Sequence, residues 1–140
     1  ENKSFSTHSS VTLLFACAPL VKPKDLVNAV SRFENQSKYS SLMTVAEYPA
    51  PIEWAISIEK NEVIFDHPDL LAVSSADLRH KFYDAGQFYI YQPEKLRSSS
   101  TGLITKGILP YIIPRNMAVD IDTYEDWELA EKLYKAQFSL

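Results

Sequence analysis

An α/β fold carrying an inserted β element is what the sequence predicts, and three observations carry that expectation. An apolar run from Val11 to Ala18, interrupted only by Thr12, has the composition of a strand. Helical apolar stripes occur directly after it and again at the end of the chain, while short segments of alternating character lie between them. With 140 residues, 46% hydrophobic and 23% charged, the chain suits one compact domain with a sizeable core.

Taken in order, "SSVTLLFACAPL" reads as a strand covered on both faces, as in parallel sheets, with a short buried helix segment as the alternative. In "KPKDLVNAVSRFEN", Leu26, Ala29, Val30 and Phe33 fall at offsets of three, four and seven, one helical stripe, and Pro23 suits the first turn. Strand, loop and helix make half of a βαβ unit. "SSLMTVAEYPAP" and "EWAISIEKNEVIFDHP" read as extended segments, with Trp54, Ile56 and Ile58 alternating against Ala55, Ser57 and Glu59. "EKNE" is the expected hairpin turn, within an inserted β-hairpin at about residues 50–70.

"DAGQFYIYQP" reads as a strand entered from Gly86 and closed by Pro93, and "RSSS" at Arg97 to Ser100 as a loop. The prolines of "GILPYIIPRNMAVDID" assign it to edge or connecting segments, because proline has no N–H for a central ladder. A helix is predicted from about Thr123 to Gln137. Thr123 and Asp126 form a capping box, Glu125, Asp126 and Glu128 suit a helix N-terminus, and Trp127, Ala130, Leu133 and Tyr134 form the stripe expected to be buried.

Charge narrows the partners. A net charge of -4 and a pI near 5.3, with no run of Lys or Arg, argue against nucleic acid or an anionic membrane and for small molecules or other proteins. Cys17 is the sole cysteine; its apolar neighbours predict a buried small residue in a reducing compartment, hence the cytoplasm. No stretch is long and apolar enough to span a bilayer, and "ENKSFSTHSS" lacks the order of a signal peptide. The sequence starts at Glu1, with methionine only at Met43 and Met117, so translation is expected to begin upstream. His8, His67 and His80 have no partners at metal-ligand spacing, and Cys17 has no nearby base to activate it, so neither a zinc site nor a nucleophilic triad is indicated.

"AVDIDTYEDW" sets Asp120 and Asp122 on either side of Ile121, just before the last helix. On a strand end, residues i and i+2 share a face, so two carboxylates would converge while Ile121 turns to the core. Two acids with water and phosphate oxygens completing the shell suit magnesium. Spacing alone leaves the alternative open that Asp122 caps the helix and that Asp120 is solvated or paired with Arg115.

"PRNMAVDIDTYEDWELAEKLY" resembles the C-terminal signature of the acylneuraminate cytidylyltransferase family, the CMP-sugar synthetases, and "YDAGQFYIY" is similar to the "DAGQFY" segment of its pseudaminic acid branch. "LLFACAPLVKPKDLVNAV" sits where that family has a strand and a proline turn, and "TVAEYPAPIEWAISIEKNEVIF" resembles its stretch ending in a dimerising hairpin. The matches run in order from about Val11 to Tyr134. Two departures stand out. With glycine only at positions 86, 102 and 107, nothing matches the family's phosphate-cradling loop. Where the branch has "RSQDL", this chain has Val73 or Ser74 for the arginine and Ala76 for the glutamine.

The resemblance implies a Rossmann-like nucleotide-diphospho-sugar transferase fold with a mixed sheet, flanking helices and the hairpin as a dimerisation element. Residues 1–140 would be a single partial domain, the C-terminal portion of a cytidylyltransferase without its nucleotide-binding front. The implied reaction joins CTP to a nonulosonic acid, pseudaminic acid, releasing pyrophosphate with Mg2+. Asp120 and Asp122 are the implied catalytic metal ligands, and Asp84, Gln87, Phe88 and Arg115 the candidate substrate-binding residues. Residue by residue, alternatives stay open. Asp84 and Gln87 flank Gly86 either as sugar contacts or as a turn in which Asp84 bonds its own backbone; Phe88 and Tyr89 either pack or form a sugar platform; and Arg115 meets a phosphate or carboxylate of the substrates or pairs with a surface acid. A homodimer is implied. Alternatives to this function are a non-catalytic remnant, a sialic acid cytidylyltransferase, or another nucleotide-sugar pyrophosphorylase of similar fold. Lacking central strands, the isolated chain is expected to self-associate or be unstable.

Overall fold

A computed structural model of the protein describes residues 10–101 and 104–138; His8 and Gly102 lie outside them. The elements run β1 (Val11–Leu14), α1 (Pro23–Glu34), β2 (Ser41–Glu47), β3 (Ile56–Glu59), β4 (Glu62–Phe65), β5 (Phe82–Tyr91), α2 (Pro93–Ser98), β6 (Ile108–Ile112) and α3 (Tyr124–Phe138). The main sheet has the order β1-β5-β2-β6. β5 is antiparallel to both β1 and β2, and β2 is parallel to β6, so β1, β2 and β6 run one way and β5 against them. β1, α1 and β2 therefore form a parallel crossover with β5 laid between its strands. This is a mixed α/β sheet with flanking helices.

Both α1 and α3 lie on one face. Leu42, Thr44 and Ala46 of β2 share that face by strand alternation. At one end Ala29 and Phe33 of α1 pack with Leu42, Phe88, Ile90 and Leu109. At the other, Ala130 of α3 packs with Leu20, Ala46, Ala85, Ile113, Met117 and Val119. Tyr111 packs against both groups. Full burial of a side chain such as Phe88 or Leu42 contributes ~1.5–3 kcal/mol over leaving it exposed.

A bulge in β5 makes this layer possible. Met43 pairs with Tyr89 and Val45 with Asp84, so residues 85–88 stand opposite Thr44 alone. The odd-numbered Tyr83 and Ala85 face the helical layer before the bulge, and the even-numbered Phe88 and Ile90 face it afterwards. Gly86 takes a φ of 60° inside the bulge, where other residues are strained.

Several expectations are corrected. β1 is an exposed sheet edge rather than a doubly covered strand; the strand ends at Leu14 although the apolar run continues, and residues 16 and 17 form a turn. Cys17 is half-buried, because that turn leaves the sheet. Arg97 and Ser98 belong to α2, not to a loop. Trp127 and Tyr134 are 57% and 43% exposed, since α3 meets the sheet only along the line of Ala130 and Leu133.

Other readings hold. Pro110 lies in β6, a sheet edge that tolerates its missing N–H. The hairpin turns at Lys60 and Asn61, with φ of 49° and 70°, the double positive φ of a type I′ turn. β3 and β4 form a sheet of their own, pairing Ile56 with Phe65 and Ile58 with Val63. No helix among the described residues is long and apolar enough to cross a membrane.

Candidate acidic site

The acid pair sits between β6 and α3. After β6 the chain makes a single helical turn at Arg115–Met117 and reaches Asp122 without joining a ladder. The expected strand end is therefore absent, but its alternation survives: Val119 and Ile121 pack inward while Asp120 and Asp122 are exposed. Ile121 N–H, between the two acids, donates to the Cys17 carbonyl at 3.1 Å.

Asp120 lies directly over the β5 bulge. A Cβ at Gly86 would stand 2.7 Å from Asp120 Oδ2, so glycine is needed for space as well as for φ. The Asp84 carboxylate accepts the Gly86 N–H at 3.0 Å and the Tyr89 hydroxyl. Burial, then the bond to Asp84, pushes the Tyr89 hydroxyl above its ordinary pKa, with Asp120 adding charge in the same sense. The Cys17 thiol is likewise pushed up, chiefly through its hydrogen bond to Asp120, then by burial and the charges of Asp120 and Asp122. Phe15 and Tyr91 flank the Tyr89 ring edge-on at 5.3 and 6.0 Å between centroids.

Asp120 thus stands over Gly86, two residues along the chain from Asp84, and Asp122 is exposed two residues beyond Asp120. Among the described residues none of them makes an ion pair, nor does any group of three or more His, Cys, Asp or Glu form a protein-only metal site. Exposed carboxylates without a cationic partner could hold a hard divalent ion that fills the rest of its shell with other oxygen ligands.

The helix cap frees Asp122 for such a role. Asp126 N–H donates to Thr123 Oγ1 at 3.2 Å, and Asp126 Oδ2 accepts from the N–H of Thr123 at 2.8 Å and of Asp122 at 3.2 Å. The predicted capping box is in place, and the reading of Asp122 as the cap is overturned. Hydrogen bonds from Thr123, side chain first, hold the Asp126 carboxyl below its ordinary pKa.

The other candidates divide. Asp84 does bond its own turn, through the Gly86 N–H. Gln87 is brought close but is 2% exposed, with its amide donating to the Met117 carbonyl, a tie within the fold. Phe88 is fully buried under α1, so as a substrate-binding residue it is corrected: the bulge turns its ring into the core and leaves Tyr89 at the site. Arg115 is exposed on its turn, and among the described residues no hydrogen bond or ion pair joins it to an acid. The segment that departs from "RSQDL" lines a separate groove of about 290 Å³ with Glu47, Tyr48, Ala76, Arg79, His80 and Lys81.

Sequence reasoning missed Thr44, whose hydroxyl holds the bulge. A threonine in a strand is ordinary, so it gave no signal. It also missed Cys17 beside Asp120, which only the turn after β1 brings about.

No protein-family profile matches the chain. Two curated relatives do: pseudaminic acid cytidylyltransferases from Campylobacter jejuni subsp. jejuni serotypes O:23/36 and O:2. Each is 32% identical over 130 residues, covering 91% of this chain and 55% of the relative. The chain spans about half the length of the curated relatives it matches. The similarity runs across nearly all of this chain and bears on the part of those relatives that it spans.

Proposed function

We propose that the chain is part of a magnesium-dependent cytidylyltransferase that couples CTP to pseudaminic acid. The observation that supports this reading is that Asp120, over Gly86, and Asp122, two residues on, are both exposed with no ion pair among the described residues. In the reaction the sugar's anomeric hydroxyl oxygen bonds to the α-phosphorus of CTP, the bond from that phosphorus to its bridging oxygen breaks, and pyrophosphate leaves as the hydroxyl proton is lost. Magnesium, when bound, neutralises charge gathering on the phosphate oxygens. Asp120 and Asp122 would hold it. Asp84, Gly86 and Tyr89 would form the adjoining rim, where a glycine lets the backbone approach a ligand closely.

The β3–β4 hairpin is the proposed homodimer contact. Ile56, Ile58, Val63 and Phe65 share one face, each about half or more exposed, and an isolated two-stranded hairpin is marginal in water. Both the lone cysteine and the use of CTP fit the cytoplasm as the place of action.

Pyrophosphate release from CTP and pseudaminic acid tests the reading. It would be measured for the chain and for its reading frame begun at an upstream start codon, each with and without Asp122→Ala. The expected outcome is magnesium-dependent release that falls at least about 100-fold on substitution and is abolished by a chelator. Turnover that survives Asp122→Ala would remove the acid pair from the metal.

A further inference from the structure

The acid segment has no ladder of its own, so something else must fix where Asp120 stands. Thr44 is fully buried, opposite the β5 bulge. Its hydroxyl accepts the N–H groups of Gln87 at 3.4 Å and Phe88 at 3.2 Å, and donates to the Phe88 carbonyl at 3.2 Å. One hydroxyl proton and two lone pairs are thereby all used. The bulge then makes two contacts with the acid segment: Gly86 lies under Asp120, and the buried Gln87 amide donates to the Met117 carbonyl.

We infer that Thr44 and Gln87 are positioning residues for the Asp120–Asp122 pair, Thr44 by holding the bulge and Gln87 by tying the bulge to the turn from which the acids emerge. Neither touches substrate in this account. The consequence for catalysis rests on the metal-holding role proposed above, whereas the positioning itself does not. Replacing Thr44 by valine keeps its shape but leaves two N–H groups and a carbonyl without partners in the interior, which favours re-pairing of the strand and withdraws Gly86 and Gln87 from the acid segment. Serine keeps the hydroxyl.

The test reads the Ile121 amide, whose bond to Cys17 lies between the two acids. Its hydrogen exchange is measured by NMR relative to the slowest amides of the same protein, in the wild type and in Thr44→Val, Thr44→Ser, Gln87→Met and Leu109→Ala. Leu109→Ala weakens the other core group and serves as a control for stability. Expected is a relative acceleration at Ile121 of about tenfold or more in Thr44→Val and Gln87→Met, with Thr44→Ser and Leu109→Ala close to wild type. An unchanged Ile121 ratio in the folded variants overturns the proposal, as does equal acceleration in Leu109→Ala. Should Thr44→Val not fold, Gln87→Met decides, since it removes only the tie. Added Mn2+ separates the two readings: if it fails to broaden residues 120–122 of the wild type, the metal role falls, and the positioning role is still judged by Ile121.

Discussion

Gly86 combines a φ of 60° with an Asp120 oxygen 2.7 Å from where a Cβ would be. Gly86→Ala therefore strains the backbone and displaces the acid at once. We predict a loss of ~1–3 kcal/mol in denaturant unfolding, together with weaker Mn2+ binding, and retention of full binding would contradict the geometry. Asp126 gives a pH-dependent case. Its folded pKa lies below the ordinary 3.8, so its contribution is present above that value and is lost as pH falls through the folded pKa. Asp126→Asn should accordingly melt below the wild type at neutral pH, and the two melting temperatures should converge in acid below 3.8. A gap that persists there would mean that the carboxylate charge is not what holds the cap.

Among the elements the hairpin differs most from its surroundings. Its turn geometry and register are those of a well-formed type I′ hairpin, yet Ile58 is 74% exposed and its neighbours across the strand fare little better. Ile58→Asp removes apolar surface from the proposed contact while disturbing little in a single chain, within about 0.5 kcal/mol. Sedimentation should show the wild type associating through this face and the variant dissociated. Association unchanged by the variant would move the dimer contact elsewhere. α3 shows a related feature: Trp127 and Leu129 stay exposed because the sheet meets that helix along one narrow line.

At the scale of the molecule, one sheet face carries α1 and α3, and among the described residues neither of these helices packs on the other. Val11, Leu13, Phe82 and Ile112 lie on that other face at 38–59% exposure, together with Tyr89 and Asp84 of the site. Apolar surface of this kind is unusual on a soluble monomer. The chain by itself should bind the dye ANS, and Ile58→Asp should leave that binding in place because the sheet face is separate from the hairpin. Absence of ANS binding in the dissociated variant would show this face to be covered in solution.

Local pattern determined much of this protein from sequence alone. The stripe of α1, the Thr123–Asp126 cap, the Lys60–Asn61 turn and the exposure of Asp120 and Asp122 each follow from residues a few positions apart, whose spacing sets which groups can meet. The order of the segments also pointed to the enzymes that the chain proves similar to. Tertiary structure alone decided the rest: that the Val11–Ala18 run is an edge, that Cys17 meets Asp120, that Phe88 packs inward while Tyr89 stays at the site, and that Thr44 holds the bulge. The last two depend on the three-residue shift in register between β2 and β5. Such a shift reverses the face of every residue beyond it, and it is set by long-range pairing and by the polar groups a buried hydroxyl can satisfy, neither of which leaves a mark in local periodicity.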